Sequence, residues 1–202
     1  MFIVIDGGDG TGKSTQIAAL AQGFRDRQEK VETYRDPGST RLGEEIRAIL
    51  LGSKDIPVCD RSETFLFMAA RAQMIDEFIR PAIRSGSTVI LDRFLLSTVV
   101  YQGYAAGQNI DDIWDVGRVA LGDCIPDLTI VLDLDPDAAR ERIDRPLDRM
   151  ELKGAEYHRR VREGFLAAVK QWPQHFSGRC EVVSAQGSPE EISKRIAEIV
   201  WP

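Results

Sequence analysis

Gly7-Gly8-Asp9-Gly10-Thr11-Gly12-Lys13-Ser14 follows the apolar run Phe2-Ile3-Val4-Ile5 and precedes Ile17, Ala18, Leu20, Ala21 and Phe24, which recur at helical spacing. Gly7, Gly12, Lys13 and Ser14 meet the pattern G-x-x-x-x-G-K-[ST] between a buried strand and a helix, the setting in which it has meaning. The glycines let the backbone curl so that successive N–H groups face inward at phosphate oxygens. The helix that follows adds its free N–H groups and the positive end of its dipole. Residues Gly7 to Ser14 are therefore expected to cradle a nucleoside triphosphate. Lys13 would reach the β- and γ-phosphates, and the Ser14 hydroxyl would bind Mg²⁺.

The alternation of strand and helix continues outward from this loop. Val31–Tyr34, Thr88–Leu91, Leu128–Leu134 and Glu181–Ser184 read as further short strands. Helices are expected from Lys13, over Leu42–Leu51, Ser62–Ile83 and Leu95–Tyr101, and again over Ile113–Leu121, Pro136–Ile143, Glu156–Gln171 and Pro189–Val200. Such a succession predicts a central parallel sheet of about five strands with helices on both faces, a three-layer α/β/α fold of the P-loop NTPase type. No repeat, low-complexity tract or linker interrupts it, so residues 1–202 read as one domain.

Composition narrows the function. The chain has 202 residues, 43% hydrophobic and 29% charged, with a formal net charge of −6, and so lacks the basic footprint of a protein that binds a nucleic-acid polymer. No apolar run approaches the length of a membrane span, and Phe2–Ile5 is too short for a signal peptide. Cys59, Cys124 and Cys180 are far apart and form no C-x-x-C pair, which fits reduced thiols in the cytoplasm. His158 and His175 lie in polar helical contexts and read as surface residues.

A second phosphate-side group comes from Thr88-Val89-Ile90-Leu91-Asp92, a buried strand that delivers a carboxylate at its C-terminal end. In open parallel sheets ligands bind at that edge, so Asp92 is a candidate for organising Mg²⁺ and its waters. Phosphoryl transfer needs charge neutralisation and alignment more than covalent chemistry. Arg47, Arg71 and Arg93, and the run Arg140, Arg142, Arg145 and Arg149, offer cationic charge to a phosphorylated acceptor. Segment 140–150 reads as a short arginine-rich lid able to close over the transferred group and exclude water. The Asn-Lys-x-Asp segment with which GTPases read guanine is absent from the sequence, which weakens that alternative.

Longer stretches carry a resemblance. Arg35-Asp36-Pro37-Gly38-Ser39-Thr40, Leu50-Leu51, the block Glu63–Gln73, Asp92-Arg93-Phe94, Ser97-Thr98, Tyr101-Gln102-Gly103 and Leu147-Asp148-Arg149-Met150-Glu151 look like the bacterial thymidylate kinases, over nearly the whole chain. The resemblance implies an enzyme that phosphorylates dTMP to dTDP with ATP and Mg²⁺, in the cytoplasm and as a homodimer. It implies that Asp9 bonds the sugar 3′-hydroxyl, that Phe67 stacks on thymine and that Arg71 meets the base edge. Phe67 and Arg71 stand four residues apart, on one helix face. Arg47 and Arg93 would hold the dTMP phosphate; Thr98 and Gln102 would line the base pocket; Tyr101 would disfavour ribonucleotides; Pro37 and Ser97 would complete the acceptor site. Gly8-Asp9-Gly10-Thr11 contains no arginine, so the chain resembles the members whose catalytic arginine lies on the lid, at Arg142, Arg145 or Arg149.

The chain also departs from that family. Asp36-Pro37-Gly38-Ser39-Thr40 stands where Glu-Pro-Gly-Gly-Thr is common, and Tyr104-Ala105-Ala106-Gly107 stands where a Gly-Arg-Gly segment often follows. Two alternatives stay open at this point: another deoxynucleoside monophosphate kinase, or a nucleotide-binding module that no longer transfers phosphate.

Overall fold

The computed structural model describes residues 1–52, 56–143 and 154–202. Among them, strands β1 (Phe2–Gly7), β2 (Val31–Arg35), β3 (Thr88–Asp92), β4 (Leu128–Asp133) and β5 (Arg179–Ser184) form one parallel sheet in the order β2-β3-β1-β4-β5. The helices are α1 (Lys13–Asp26), α2 (Arg41–Arg47), α3 (Asp60–Met74), α4 (Arg80–Arg84), α5 (Leu95–Thr98), α6 (Ile110–Leu121), α7 (Pro136–Glu141), α8 (Ala155–His175) and α9 (Pro189–Val200). Turns of π-helix close α2 at Ala48–Gly52, join α3 to α4 at Ile75–Ile79 and prolong α5 over Val99–Ala105. The second of these stands just ahead of Pro81, whose ring excludes the carbonyl four residues back and so widens the helix there.

The alternation along β1 explains the three layers. Phe2 and Val4 join a core made with Val89, Leu91, α3, α6 and α8, while Ile3 and Ile5 join a second core with Ile90, Ile130, α1 and α9. A strand buried on both faces has no polar side, which is why the strands read as unbroken apolar runs. Some boundaries move by a few residues. Helix α6 starts at Ile110 because the Asn109 side chain caps it, accepting from the amides of Asp111 and Asp112. Helix α7 stops at Glu141, two residues short of the expected Ile143, and α8 runs past Gln171 to His175.

The strand order sets the place of the site. The connection from β1 leads to β2 on one side, and the connection from β3 leads to β4 on the other, so a crevice opens at the carboxyl ends of β1 and β3. Register puts Ile5 beside Asp92, and Asp92 beside Arg35. The glycine loop, Asp92-Arg93 and Arg35-Asp36 therefore meet at one edge of the sheet. No helix among the described residues is long and apolar enough to cross a membrane.

Candidate active site

The glycine loop is wedged against the sheet and against α7. Gly7 has φ +133°, and a Cβ there would lie 2.6 Å from the Leu132 carbonyl oxygen; Gly10 has φ +76°, and its Cβ would lie 2.1 Å from the Ala139 carbonyl oxygen. Both positions therefore require glycine, for backbone angle and for space. Thr11 pins the loop by donating its hydroxyl to the Gly8 carbonyl at 2.8 Å. Lys13, at the start of α1, donates its ammonium to the carbonyls of Gly7 (3.1 Å) and Gly8 (2.7 Å). Burial, with help from the Arg93 charge, pushes the Lys13 ammonium down to about 8, against the pull of Asp9, Asp92 and Asp6. A buried cation in this position favours an anionic ligand.

The donor set fits Mg²⁺. Ser14, the second residue of α1, lines the cleft, as does Asp92. Asp92 Oδ1 is buried and has no hydrogen-bond partner among the described residues. A buried carboxylate oxygen without a donor is what a hard cation, or a water held by one, satisfies.

Asp9 stands in a network that the sequence did not reveal. Arg93 donates to one of its carboxylate oxygens and the Tyr101 hydroxyl to the other, at 3.0 Å. Burial pushes the Asp9 carboxyl up, but Arg93 and Lys13 together outweigh this and hold it below the usual range. It is thus an anion, with lone pairs left to accept one more hydrogen bond. Arg93 has φ +65°, a backbone conformation uncommon outside glycine. Its Nη1 donates to Ser97 Oγ at 2.9 Å and to the Gly7 carbonyl at 3.2 Å. Beneath it lies Asp6, fully buried, which accepts from Ser97 Oγ at 2.6 Å and from the backbone amides of Gly7, Phe94 and Ser97. Ser97 is thus spent on holding Arg93 against Asp6. Asp6 went unassigned in the sequence reading; its signal was a charged residue at the end of an otherwise apolar strand.

The other end of the cleft is lined by Pro37, Arg47, Phe67, Arg71, Thr98 and Gln102. Arg71 is buried on α3. It donates Nε to Asp36 Oδ2 at 2.7 Å, and Nη2 to the Phe94 carbonyl and to Thr98 Oγ1 at 3.1 and 2.9 Å. Only Nη1, which faces the Met68 sulfur at 3.1 Å, keeps weakly used donors. The guanidinium is thus held on its strong sides and has one nitrogen left for a ligand. Asp36 is the second residue whose role the sequence left unread; burial pushes its carboxyl up while Arg71 pulls it back. Phe67, four residues before Arg71, is half-buried against Ile46, Leu50 and Ala70. Arg47 donates to the Pro37 carbonyl at 2.9 Å, and burial together with the Arg35 charge pushes its pKa down.

Past the glycine loop the cleft continues between α1 and α9, where Gln16, Arg142, Gly187, Pro189 and Ile192 line it. Arg142 follows α7 and donates to the Ala185 carbonyl at 3.1 Å. Arg140 is exposed. Arg145 and Arg149, the other expected lid arginines, lie outside the described residues.

The departing segment is integrated into the fold. Tyr104 packs so tightly on α8 that a Cβ on Gly164 would lie 2.8 Å from the Tyr104 Cβ. Gln108 donates to the Asp60 carbonyl at 3.0 Å and lies 3.1 Å from Thr64 Oγ1, so it ties down the start of the helix that carries Phe67 and Arg71. The histidines are less superficial than expected. His158 is half-buried, and His175 stacks on Trp114 at 4.3 Å between ring centroids.

The family model described as thymidylate kinase matches residues 5–196. A thymidylate kinase of Rhodopirellula baltica is 43% identical over 198 residues, covering 98% of this chain and 79% of that protein. One of Bacillus cereus is 36% identical over 204 residues, covering 99% and 96%. In structure, the chain is similar to a crystal structure of thymidylate kinase from Ehrlichia chaffeensis, with a TM-score of 0.80, 28% identity, and coverage of 99% and 98%.

Proposed function

The chain belongs to the thymidylate kinase family and transfers the γ-phosphoryl of MgATP to dTMP, giving dTDP and ADP; from that premise we propose how its residues divide the work. One continuous cleft of about 800 Å³ supports the division most directly, with Lys13 and Asp92 between an end lined by Phe67, Arg71 and Gln102 and an end lined by Gln16, Gly187 and Ile192.

The first end takes dTMP. Phe67 stacks on thymine, Arg71 Nη1 donates to the base edge, and Thr98 and Gln102 close the pocket. Arg47 and Arg93, beside Pro37, hold the acceptor phosphate, for which a planar guanidinium suits better than an ammonium. Asp9 accepts from the sugar 3′-hydroxyl, oriented by Arg93 and Tyr101; the Tyr101 ring disfavours a 2′-hydroxyl. Ser97 acts through Arg93. On the donor side the amides from Gly7 to Ser14 and Lys13 would hold the triphosphate, while Ser14 and Asp92 would hold Mg²⁺, which when bound would supply positive charge to the triphosphate.

In the transfer, an oxygen of the dTMP phosphate bonds to the γ-phosphorus. The bond from that phosphorus to the β,γ-bridging oxygen breaks, and its electron pair leaves with ADP. The protein contributes alignment and positive charge: Lys13 and Arg93 flank the path, and the arginines of segment 140–150 meet the transferred group. Arg142, Arg145 and Arg149 are the candidates for that last role, and Arg142 keeps guanidinium donors beyond its bond to the Ala185 carbonyl.

Residues 1–202 would act as one kinase domain with a lid at 140–150, in the cytoplasm, in keeping with free thiols at Cys59, Cys124 and Cys180. The enzyme would pair as a homodimer through α3 and α6, where Phe65 and Val119 are exposed. A panel of monophosphates tests the acceptor side. With MgATP, dTMP should be turned over far faster than dCMP, UMP or AMP; equal rates would sink the assignment of Phe67, Arg71 and Gln102.

A further inference from the structure

The end of the cleft assigned to dTMP holds one arginine that the division of work leaves without a task. Arg35 ends β2, and the register of the sheet sets it beside Asp92 at the end of β3. It lines the cleft together with Arg47, Arg71 and Arg93.

These guanidiniums are not equally open to a ligand. Arg71 is bound to Asp36, and Arg93 faces Asp9 with Asp6 4.0 Å behind it. Arg47 makes its hydrogen bond to the neutral Pro37 carbonyl, so its charge stays open to an anion. A phosphate monoester carries roughly −1.5 to −2 charges at neutral pH, and one open guanidinium meets only part of that. Arg35 is near enough to act on Arg47: burial comes first, and the Arg35 charge second, in pushing the Arg47 pKa down. Two cations side by side repel one another, and an anion held by both relieves the repulsion.

The present partner of Arg35 is a weak one. Its Nη2 donates to the two carboxylate oxygens of Glu44, at 3.1 and 2.9 Å. The two side chains are 53% and 45% exposed, so water screens the pair and it contributes little. Among the described residues, Nε and Nη1 donate to nothing, which leaves a second edge of the guanidinium for a ligand.

We propose that Arg35 is a further binding residue for the phosphate of the acceptor nucleotide, sharing that group with Arg47. The proposal rests on the assignment of the acceptor phosphate to Arg47 and Arg93. Glu44 keeps one edge of Arg35, and the nitrogens it does not use donate to a phosphate oxygen.

The test compares dTMP with thymidine, which has the same base and sugar and lacks the phosphate. Calorimetry measures the affinity of each for the native chain, Arg35→Gln and Arg47→Gln. Arg35→Gln should weaken dTMP about tenfold, the scale of one charge-assisted hydrogen bond open to water, and leave thymidine unchanged. An equal loss for both ligands would mean that Arg35 only shapes the turn after β2. No loss for either would mean that its charge stays with Glu44. Both results overturn the proposal. Arg47→Gln tests the assignment beneath it. If that variant does not narrow the gap between dTMP and thymidine, the acceptor phosphate lies elsewhere and the reading of this end falls. If it narrows the gap and Arg35→Gln does not, only the role of Arg35 falls. Arg35→Lys is the second variant should glutamine disturb the strand, because it keeps the charge pair with Glu44. An ammonium has no second edge, so a smaller loss, again confined to dTMP, is expected; native affinity for dTMP, or an equal loss for both ligands, overturns the proposal.

Discussion

In the proposed division of the work Asp9 joins the two halves of the reaction: it sits inside the glycine loop, and Arg93 and Tyr101 each hold one of its carboxylate oxygens. Removing the carboxylate should therefore separate the two functions. Asp9→Ala is expected to lower kcat/KM for dTMP about a hundredfold or more while ATP binding, followed by fluorescence or calorimetry, changes little. Equal losses in both would return Asp9 to a loop-stabilising role. Lys13 gives a pH signature. Its ammonium, pushed from 10.5 to about 8 by burial, is destabilised by folding. Charged Lys13 therefore costs stability below about 8, and the cost is relieved as pH rises towards 10.5. Because a triphosphate favours the charged form, ATP affinity should fall as pH rises through about 8, with proton uptake on binding above that value. Calorimetry in buffers of different ionisation enthalpy measures the uptake; binding without it at pH 9 would contradict the assignment. Both residues were legible in the sequence as types and spacings. Their partners, Arg93 at a separation of 84 residues from Asp9 and Tyr101 at 92, were not.

At the scale of elements, the glycine loop and α7 are one packed unit. Gly10 lies where any side chain would enter the Ala139 carbonyl, at a backbone angle of +76°. Gly10→Ala should therefore abolish turnover by deforming the loop, while circular dichroism shows the helices and sheet intact; activity near that of the native enzyme would mean that the loop and α7 separate freely. Helix α3 shows a different dependence. It carries Phe67 and Arg71, but Asp36 after β2, Phe94 after β3 and Gln108 before α6 hold it in place. The spacing of Phe67 and Arg71 was readable, since it depends only on helical period. The clamp on Arg71 was not, since Asp36 after β2 and Phe94 and Thr98 after β3 come from two segments far apart in sequence. The π-turns that interrupt α3 and prolong α5 were missed for a related reason: their residues keep an apolar helical pattern while packing alters the winding.

For the whole molecule, the exposed apolar residues Phe65 on α3 and Val119 on α6, 54% and 85% exposed, mark the face proposed for pairing. Val119→Glu should halve the mass seen by light scattering without lowering the thermal midpoint of the protomer; an unchanged mass would place the interface elsewhere or deny it. The sequence expectation also included the stretch from Leu95 on, but Leu95–Gln102 is buried in the core, so only α6 of that region presents a face. The sequence by itself determined the three-layer fold, the glycine loop between β1 and α1, and the place of Asp92 at the end of β3. Each is a local matter, a period, a glycine spacing or a strand end, and local physics writes itself into consecutive residues. Only the tertiary structure decided which charges neutralise one another. Asp6 beneath Ser97 and Arg93, Asp36 against Arg71, and Gln16 bound to Pro189 all depend on the order of strands in the sheet, which brings distant chain segments to one edge. Burial makes those pairings obligatory, because a charge or amide removed from water must find its partner wherever the fold has put one.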